Sequence, residues 1–211
     1  MMMMAQARGR HVRGMSLVEL VIVVAVTMVL SAILLPNIIN TTYNIRLRSA
    51  ANDVSGLLQQ AHFRAIRDNT YYPVCSATIG SNNQTTLFFI DMSATRNCSA
   101  SWSNTYPTVQ LGGNVTRQYS GYPAITSMSL GFTPLVASAS PPYFSSRGTP
   151  CSVNNNLCLN IYTPPSGTTV IAAYGVFLTD SRPGGGSGWS AVTVSPAGRV
   201  RTWMWDGSKW E

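Results

Sequence analysis

The chain has 211 residues, of which 45% are hydrophobic and only 10% are charged, and its formal net charge is +7. This length provides for one or at most two domains, which excludes a large multidomain protein. Ordinary cytosolic domains carry about 25% charged residues, so the composition argues against a cytosolic protein and indicates an exported one with a polar, nearly neutral surface.

An apolar run covers residues 15–35, and its only polar members are Ser16, Glu19, Thr27 and Ser31. As an α-helix this run would be about 31 Å long, which matches the hydrocarbon core of a bilayer. The preceding residues include three arginines and no acidic residue, so the positive-inside rule predicts a cytoplasmic N-terminus. Glu19 is unexpected here, because an unpartnered carboxylate near the centre of a membrane segment costs about 2.5–3.5 kcal/mol.

Residues 13–20, Arg-Gly-Met-Ser-Leu-Val-Glu-Leu, resemble the type III signal of type IV prepilins and type II secretion pseudopilins. The resemblance implies that a prepilin peptidase cleaves after Gly14 and that Met15 becomes the methylated N-terminal residue. It also implies that Glu19 is the carboxylate at the fifth position of the processed chain. Pro36 matches a proline common in this family, whereas Met15 replaces the usual Phe. The alternatives, an ordinary signal peptide or a plain anchor, leave Glu19 unexplained.

The same resemblance implies a location and a set of partners. The protein would enter the bacterial inner membrane with its head in the periplasm, and would then join other pilins or pseudopilins in a filament. Glu19 would pair with the amine of Met15 in a neighbouring subunit, and that ion pair is favourable only when both partners are present. The alternative is a lone glutamate that reaches toward the headgroups. Cleavage would remove Arg8, Arg10 and Arg13 and lower the net charge from +7 to +4.

An amphipathic helix is predicted after Pro36, ending near residues 68–69. Its apolar positions are spaced by four and three residues and should pack on the remainder of the protein. These positions are Leu47, Ala51, Val54, Leu58, Ala61 and Ala65. The chain is thus divided into a cleaved leader, 1–14, a transmembrane helix, 15–36, an amphipathic helix, 37–68, and an antiparallel β head, 69–211.

Beyond the helix, short strands are separated by Gly, Pro, Asn and Ser clusters, and no second helix is predicted. The polar stretch 97–127 is interpreted as a loop or an insertion. The fold class is α+β, a long N-terminal helix packed on an antiparallel sheet as in pilins. Strands are predicted at residues 74–79, 86–91, 128–132, 143–147, 157–162, 169–178, 191–194 and 199–205.

Several segments at the end of the predicted helix and in the predicted head resemble those of the GspH/FimT-type minor pilins. Residues 61–67 and 73–75 resemble the helix end and the first strand of that family, and residues 144–148 and 194–200 resemble two strand and turn segments. Gly-Arg-Val-Arg at 198–201 also resembles the Gly-Arg-x-Arg tail of FimT-type minor pilins, a branch linked to DNA uptake.

Four cysteines, Cys75, Cys98, Cys151 and Cys158, fall on the exported side, where disulfides persist. Proximity in the sequence favours Cys151 with Cys158 and, by default, Cys75 with Cys98, although four cysteines allow three connectivities. Free thiols and a zinc site are the alternatives. Zinc is disfavoured because there is no C-x-x-C pair and His62 is the single histidine beyond the leader. No metal or cofactor is predicted.

No catalytic site is predicted. His62 lies beside Arg64 on the predicted helix, where it does not suit a Ser-His-Asp hydrolase. The glycine-rich stretch 182–188 lacks the lysine and the following helix of a phosphate-binding loop. The sequence therefore indicates a structural protein and not an enzyme.

The C-terminal strand carries the strongest indication of a ligand. Period-two alternation would place Arg199, Arg201, Trp203 and Trp205 on one face. Arginine binds phosphates bidentately and tryptophan stacks on bases, so this face suits nucleic acid. In the alternative interpretation, the tryptophans pack on the sheet and the arginines stack on them at a solvated edge.

The predicted function is that of a minor pilin or pseudopilin in a type IV pilus or type II secretion pseudopilus, binding DNA for uptake through this C-terminal strand. The alternative is a type II secretion pseudopilin at the pseudopilus tip that acts only by protein contacts.

Overall fold

The computed structural model describes residues 15–79, 85–99, 103–112, 114–128, 130–132, 135–136, 141–154, 157–162, 170–182 and 186–211. The chain forms two compact units, residues 1–41 and 42–211. The predicted leader, with Gly14, lies outside the described residues.

A single long helix, α1, covers Leu17–Arg67. Its predicted end is confirmed, and the termination has a clear physical cause. Asn69 takes a left-handed conformation with φ 47°. The Asn69 amide donates to the Ile66 carbonyl at 3.3 Å, and the Thr70 amide donates to the Ala65 carbonyl at 3.1 Å. This is the hydrogen-bond pattern of a Schellman motif, in which asparagine is tolerated at the left-handed position.

The core of the second unit forms around one face of α1. All six predicted apolar positions between Leu47 and Ala65 are at most 1% exposed, which confirms the predicted face. They pack in one cluster with residues of two β-sheets, including Val74, Phe88 and Phe144 from the first and Val176, Leu178, Val192 and Val194 from the second. Because the helix packs against both sheets in the one cluster, it holds the unit together.

The strands of the described residues form three sheets, and they confirm the predicted α+β class. A six-stranded sheet has the order β3-β2-β1-β6-β7-β8, and β9 pairs with β10. A five-stranded sheet has the order β13-β12-β11-β4, with β5 also paired to β11. All named pairs are antiparallel except β5 with β11. The strands are β1 Tyr72–Ile79, β2 Thr85–Ile90, β3 Thr108–Gln110, β4 Val115–Gln118, β5 Leu135–Val136, β6 Tyr143–Phe144, β7 Pro150–Asn154, β8 Leu157–Leu159, β9 Ile161–Tyr162, β10 Val170–Ile171, β11 Tyr174–Ser181, β12 Ser187–Val194 and β13 Val200–Met204.

The structure corrects several sequence predictions. The stretch 97–127 is not simply a loop, because it contributes β3, β4 and a 3₁₀ helix at Ile125–Ser127. Strands β3 and β4 lie at sheet edges, where one face stays solvated and polar residues are expected. The predicted strand at 128–132 is wrong in its described part, because Met128 ends the 3₁₀ helix and its amide donates to the Ile125 carbonyl.

Three further differences concern two predicted strands that are each divided and one strand that was not predicted. The segment predicted as 157–162 is divided between β8 and β9, and that predicted as 169–178 between β10 and β11. Strand β7 was not predicted, because Pro150 and Asn154 at its two ends are residues that strands disfavour.

Two hairpin turns share one hydrogen-bond pattern and a left-handed glycine. We name them the first turn, residues 145–149, and the second turn, residues 195–199. In each, the glycine amide donates to the serine carbonyl three residues earlier, at 2.9 Å for Gly148 and 2.8 Å for Gly198. Both glycines are left-handed, with φ 77° and 81°. Hairpin loops of this kind end in a left-handed residue, which glycine adopts without steric cost.

The two turns meet each other beside α1. A Cβ added to Gly198 would overlap the carbonyl oxygen of Gly148, and one added to Gly148 would overlap the ring of His62. The imidazole of His62 also stacks on Phe144, with 5.6 Å between ring centroids. Burial in this junction lowers the pKa of His62 from its ordinary value.

Candidate functional site

The N-terminal part of α1 exposes both its apolar side chains and its carboxylate. Met15 precedes the helix and is 62% exposed, and Glu19 is exposed in the first turn. A carboxylate at that position is favourable because it complements the positive end of the helix dipole. Pro36 lies within α1, but its side chain is outside the described residues.

Among the described residues, no helix proves sufficiently long and apolar to traverse a membrane, so the transmembrane helix predicted at 15–36 is not confirmed.

Two disulfides stabilise the second unit, and they join the pairs that proximity in the sequence favours. Cys75 bonds to Cys98 and Cys151 bonds to Cys158, with Cα atoms 5.6 Å and 5.3 Å apart. Beside the first pair lies the buried carboxylate of Asp91, which accepts hydrogen bonds from the amides of Ser93 at 2.8 Å and Cys98 at 3.0 Å. These bonds fold the loop after β2 back, so that Cys98 reaches Cys75 on β1.

The C-terminal strand lies at the edge of the five-stranded sheet. In its register with β12, Arg201 lies opposite Thr193 and Trp203 lies opposite Ala191. Directly opposed residues of antiparallel strands project to the same side, so Arg201 and Trp203 share one face, which confirms the predicted alternation for this pair. We call this the outer face, because the opposite face carries Val192 and packs in the core with α1.

The two predicted tryptophans belong to an aromatic cluster on the outer face. The indole nitrogen of Trp203 donates to the Thr193 hydroxyl at 2.9 Å. Trp205 meets Trp210 edge to face, with 5.4 Å between ring centroids. Both are half-buried beside a cluster that contains Phe177. Their position matches the alternative interpretation, in which the tryptophans pack on the sheet.

The arginines have a different environment from the tryptophans. Arg199 and Arg201 are both exposed, and they line a cleft of about 390 Å³. Hydroxyl groups and apolar side chains complete the wall of this cleft, contributed by Thr193, Ser195, Leu130 and Phe132. Guanidinium and hydroxyl donors can hold a phosphate, and the apolar wall can contact a sugar or a base.

Leu130 and Phe132 were not predicted as site residues. They are distant from Arg199 in the sequence, and they reach the cleft only because the segment after the 3₁₀ helix packs on the outer face. Tertiary packing of this kind leaves no local pattern in the sequence. Among the described residues, there is no group of three or more His, Cys, Asp or Glu side chains that could hold a metal ion.

Comparison with known proteins bears on the N-terminal segment. The family model described as the prokaryotic N-terminal methylation motif matches residues 9–35. Neither a curated protein nor a solved structure matches the chain. The motif match includes Gly14, Met15 and Glu19, and it is accompanied by a long N-terminal helix followed by antiparallel sheets. Together these findings support a type IV prepilin-like protein, a structural subunit with the α+β arrangement of a pilin.

Proposed function

We propose that this protein is a minor pilin or pseudopilin of the GspH/FimT type. A prepilin peptidase cleaves it after Gly14, its new N-terminus at Met15 is methylated, and it is then incorporated from the inner membrane into a type IV pilus or type II secretion pseudopilus. The observation that carries this proposal is the match of residues 9–35 to the N-terminal methylation motif. The exposed apolar side chains at the start of α1 support it, because they need a partner outside the isolated chain.

Glu19 is the assembly residue in this proposal. Cleavage creates a free amine at Met15, and the carboxylate of Glu19 in one subunit pairs with that amine in its neighbour. A charge buried without its partner costs about 3–5 kcal/mol, so correct pairing favours one register of adjacent helices.

The test of this role is Glu19→Ala in a host that assembles filaments containing the wild-type chain. We expect its level in sheared filaments to fall by about a hundredfold or more. The reason is that an unpaired charge costs at least about 3 kcal/mol, and about 1.4 kcal/mol corresponds to a tenfold change in an equilibrium. The matched control is Glu211→Ala, which removes an exposed glutamate at the other end of the chain. Mass spectrometry of the assembled protein should find a methylated N-terminus at Met15. Equal incorporation of both variants would contradict the assembly role.

A second element of the proposal is DNA binding through the C-terminal strand, in a filament that takes up DNA. The cleft lined by Arg199 and Arg201 favours it, because both cations are exposed beside hydroxyl donors. In this arrangement the arginines contact phosphates. Trp203 and Trp205 then support the strand from within the aromatic cluster, and direct stacking on bases is not required of them.

The DNA test uses the double variant Arg199→Gln, Arg201→Gln of the full-length chain with a labelled duplex at several salt concentrations. We expect weaker binding and a weaker salt dependence. The slope of the logarithm of the binding constant against the logarithm of the salt concentration should become less negative by about 1 for each lost phosphate contact. Arg46→Gln, Arg48→Gln is the matched control, because these arginines have the same spacing and are exposed on α1. If both double variants bind like the wild type, the C-terminal strand is not the DNA site. If the wild type itself does not bind the duplex, the alternative holds, namely a tip pseudopilin that acts by protein contacts alone.

A further inference from the structure

A second groove lies on the outer face of the five-stranded sheet, at the end away from the arginines. Pairing of the strands aligns Thr116 on β4 with Thr179 on β11 and Thr179 with Trp189 on β12. Two residues further along β11, Ser181 lies opposite Ser187. Directly opposed residues share a face, so these hydroxyl groups and the indole of Trp189 form one continuous surface.

The groove on this surface has a volume of about 500 Å³. This volume is within the range of small-ligand sites, which is about 300–1,000 Å³. More than half of the exposed lining surface is apolar, but most of the lining side chains carry an amide or a hydroxyl group, among them Asn114, Thr116, Gln118, Thr179 and Ser187. Such groups both donate and accept hydrogen bonds. The hydroxyl of Thr179 donates to the Gly188 carbonyl at 2.9 Å and the Gln118 amide contacts the Thr116 hydroxyl at 3.5 Å, but each group keeps further capacity for a hydrogen bond to a ligand. The groove therefore suits a ligand that carries polar groups.

The electrostatics of the groove exclude a strongly charged ligand. The charged residues in its lining are Asp180 and Arg182, which form an ion pair at 3.1 Å. Asp180 is 1% exposed and also accepts a hydrogen bond from the amide of Gly188, while Arg182 donates to the amide oxygen of Asn44 at 2.7 Å. Since each charge is compensated within the protein, the groove offers neither a cation to a phosphate nor a carboxylate to a metal ion.

Trp189 adds a flat apolar surface at one side of this neutral groove. Its side chain is half-buried, because one part contacts the aromatic cluster of the outer face while the other lines the groove. A sugar ring combines these two requirements, since its hydroxyl groups form hydrogen bonds and its C–H face packs on an aromatic ring. We propose that this groove binds a neutral hexopyranose unit of a polysaccharide, a ligand that is separate from the nucleic acid of the proposed function.

The experiment is a titration of the full-length chain with maltotetraose, cellotetraose and chitotetraose, followed by saturation-transfer NMR. Lauryldimethylamine oxide is a suitable detergent for the exposed apolar helix because it has no sugar headgroup. We expect at least one tetrasaccharide to bind saturably with a Kd below about 1 mM. Failure of all three to bind saturably would overturn the proposal.

Two variants locate the site. Gln118→Met keeps the side-chain volume but removes the amide, and it should weaken binding by about fivefold, as expected for one lost hydrogen bond. Trp189→Phe keeps an aromatic ring in the cluster but presents less surface to the sugar, and it should also weaken binding. Gln110→Met is the matched control, because Gln110 is exposed on β3 in the other large sheet. Equal binding by all three variants would refute this site even if the wild type binds a sugar.

Discussion

The two parts of α1 both carry apolar side chains, but these lie in opposite environments. Between Leu17 and Leu30 the large apolar side chains are exposed, with Leu20 at 54%. Between Leu47 and Ala65 the apolar face is almost completely buried in the core of the second unit, with Leu58 at 0%. The difference shows that apolar residues in this helix have two purposes. Those of the second part stabilise the fold, and those of the first need a partner that the single chain does not provide.

A matched pair of leucines gives the largest expected contrast. Leu58→Ala should lower the free energy of unfolding by about 2–5 kcal/mol, because it leaves a cavity in the core. Leu20→Ala should change that free energy by less than about 0.5 kcal/mol, because its side chain is already exposed. Urea denaturation of the two variants and the wild type measures both values. Equal losses would contradict the division of the helix into an exposed and a buried part.

The contact of the first and second turns beside the buried part of α1 gives an intermediate effect. Gly121→Ala should cost about 1–2 kcal/mol, because φ is 74° there but no atom lies within 4 Å of the new Cβ. Gly198→Ala carries the same backbone strain and also overlaps the Gly148 carbonyl oxygen, so its cost should be greater by about 1–3 kcal/mol. Thermal unfolding compares the two variants. A melting temperature of Gly198→Ala no lower than that of Gly121→Ala would show that the turns separate freely.

The smallest expected effect is a pH dependence that comes from His62. Burial lowers the pKa of His62 in the folded protein, whereas the unfolded chain binds this proton near pH 6.5. Below that pH, the unfolded state therefore binds more protons than the folded state. The contribution of His62 to the free energy of unfolding is fully present above about pH 6.5, and it is lost as the pH falls. Denaturation at pH 7.5, 6.5 and 5.5 should show a decline that is smaller in His62→Gln. The prediction fails if both proteins lose stability equally across this range.

Much of the helical structure could be predicted from the sequence, because its signals are local. The spacing of Leu47, Ala51 and Val54 indicates a buried helical face, and Asp68-Asn69 before Pro73 indicates a helix end. The polar edge strands β3 and β4 could not be predicted in this way. Their pairing is decided by β2 and β11, which lie elsewhere in the sequence.

For the candidate site, the sequence predicts which residues share a face of the strand but not what surrounds them. Alternation along β13 correctly places Arg201 and Trp203 on one face, because the strand has a period of two. It does not reveal that the tryptophans contact Thr193 and Trp210 while the arginines border a cleft. That division depends on which distant segment covers each part of the sheet, and here the segment around Met128 covers the aromatic part.

The contact between the first and second turns also restricts how this protein can change during evolution. Because the carbonyl of Gly148 occupies the space where Gly198 would carry a Cβ, a larger residue at position 198 requires a compensating movement of the first turn. A larger residue at position 148 requires the side chains of His62 and Ile66 to move instead. We therefore expect the two turns and the helical residue that contacts them to be restricted together. A search for distant relatives should look for two five-residue turns, each with glycine at the fourth position, and for a histidine near the end of the preceding helix.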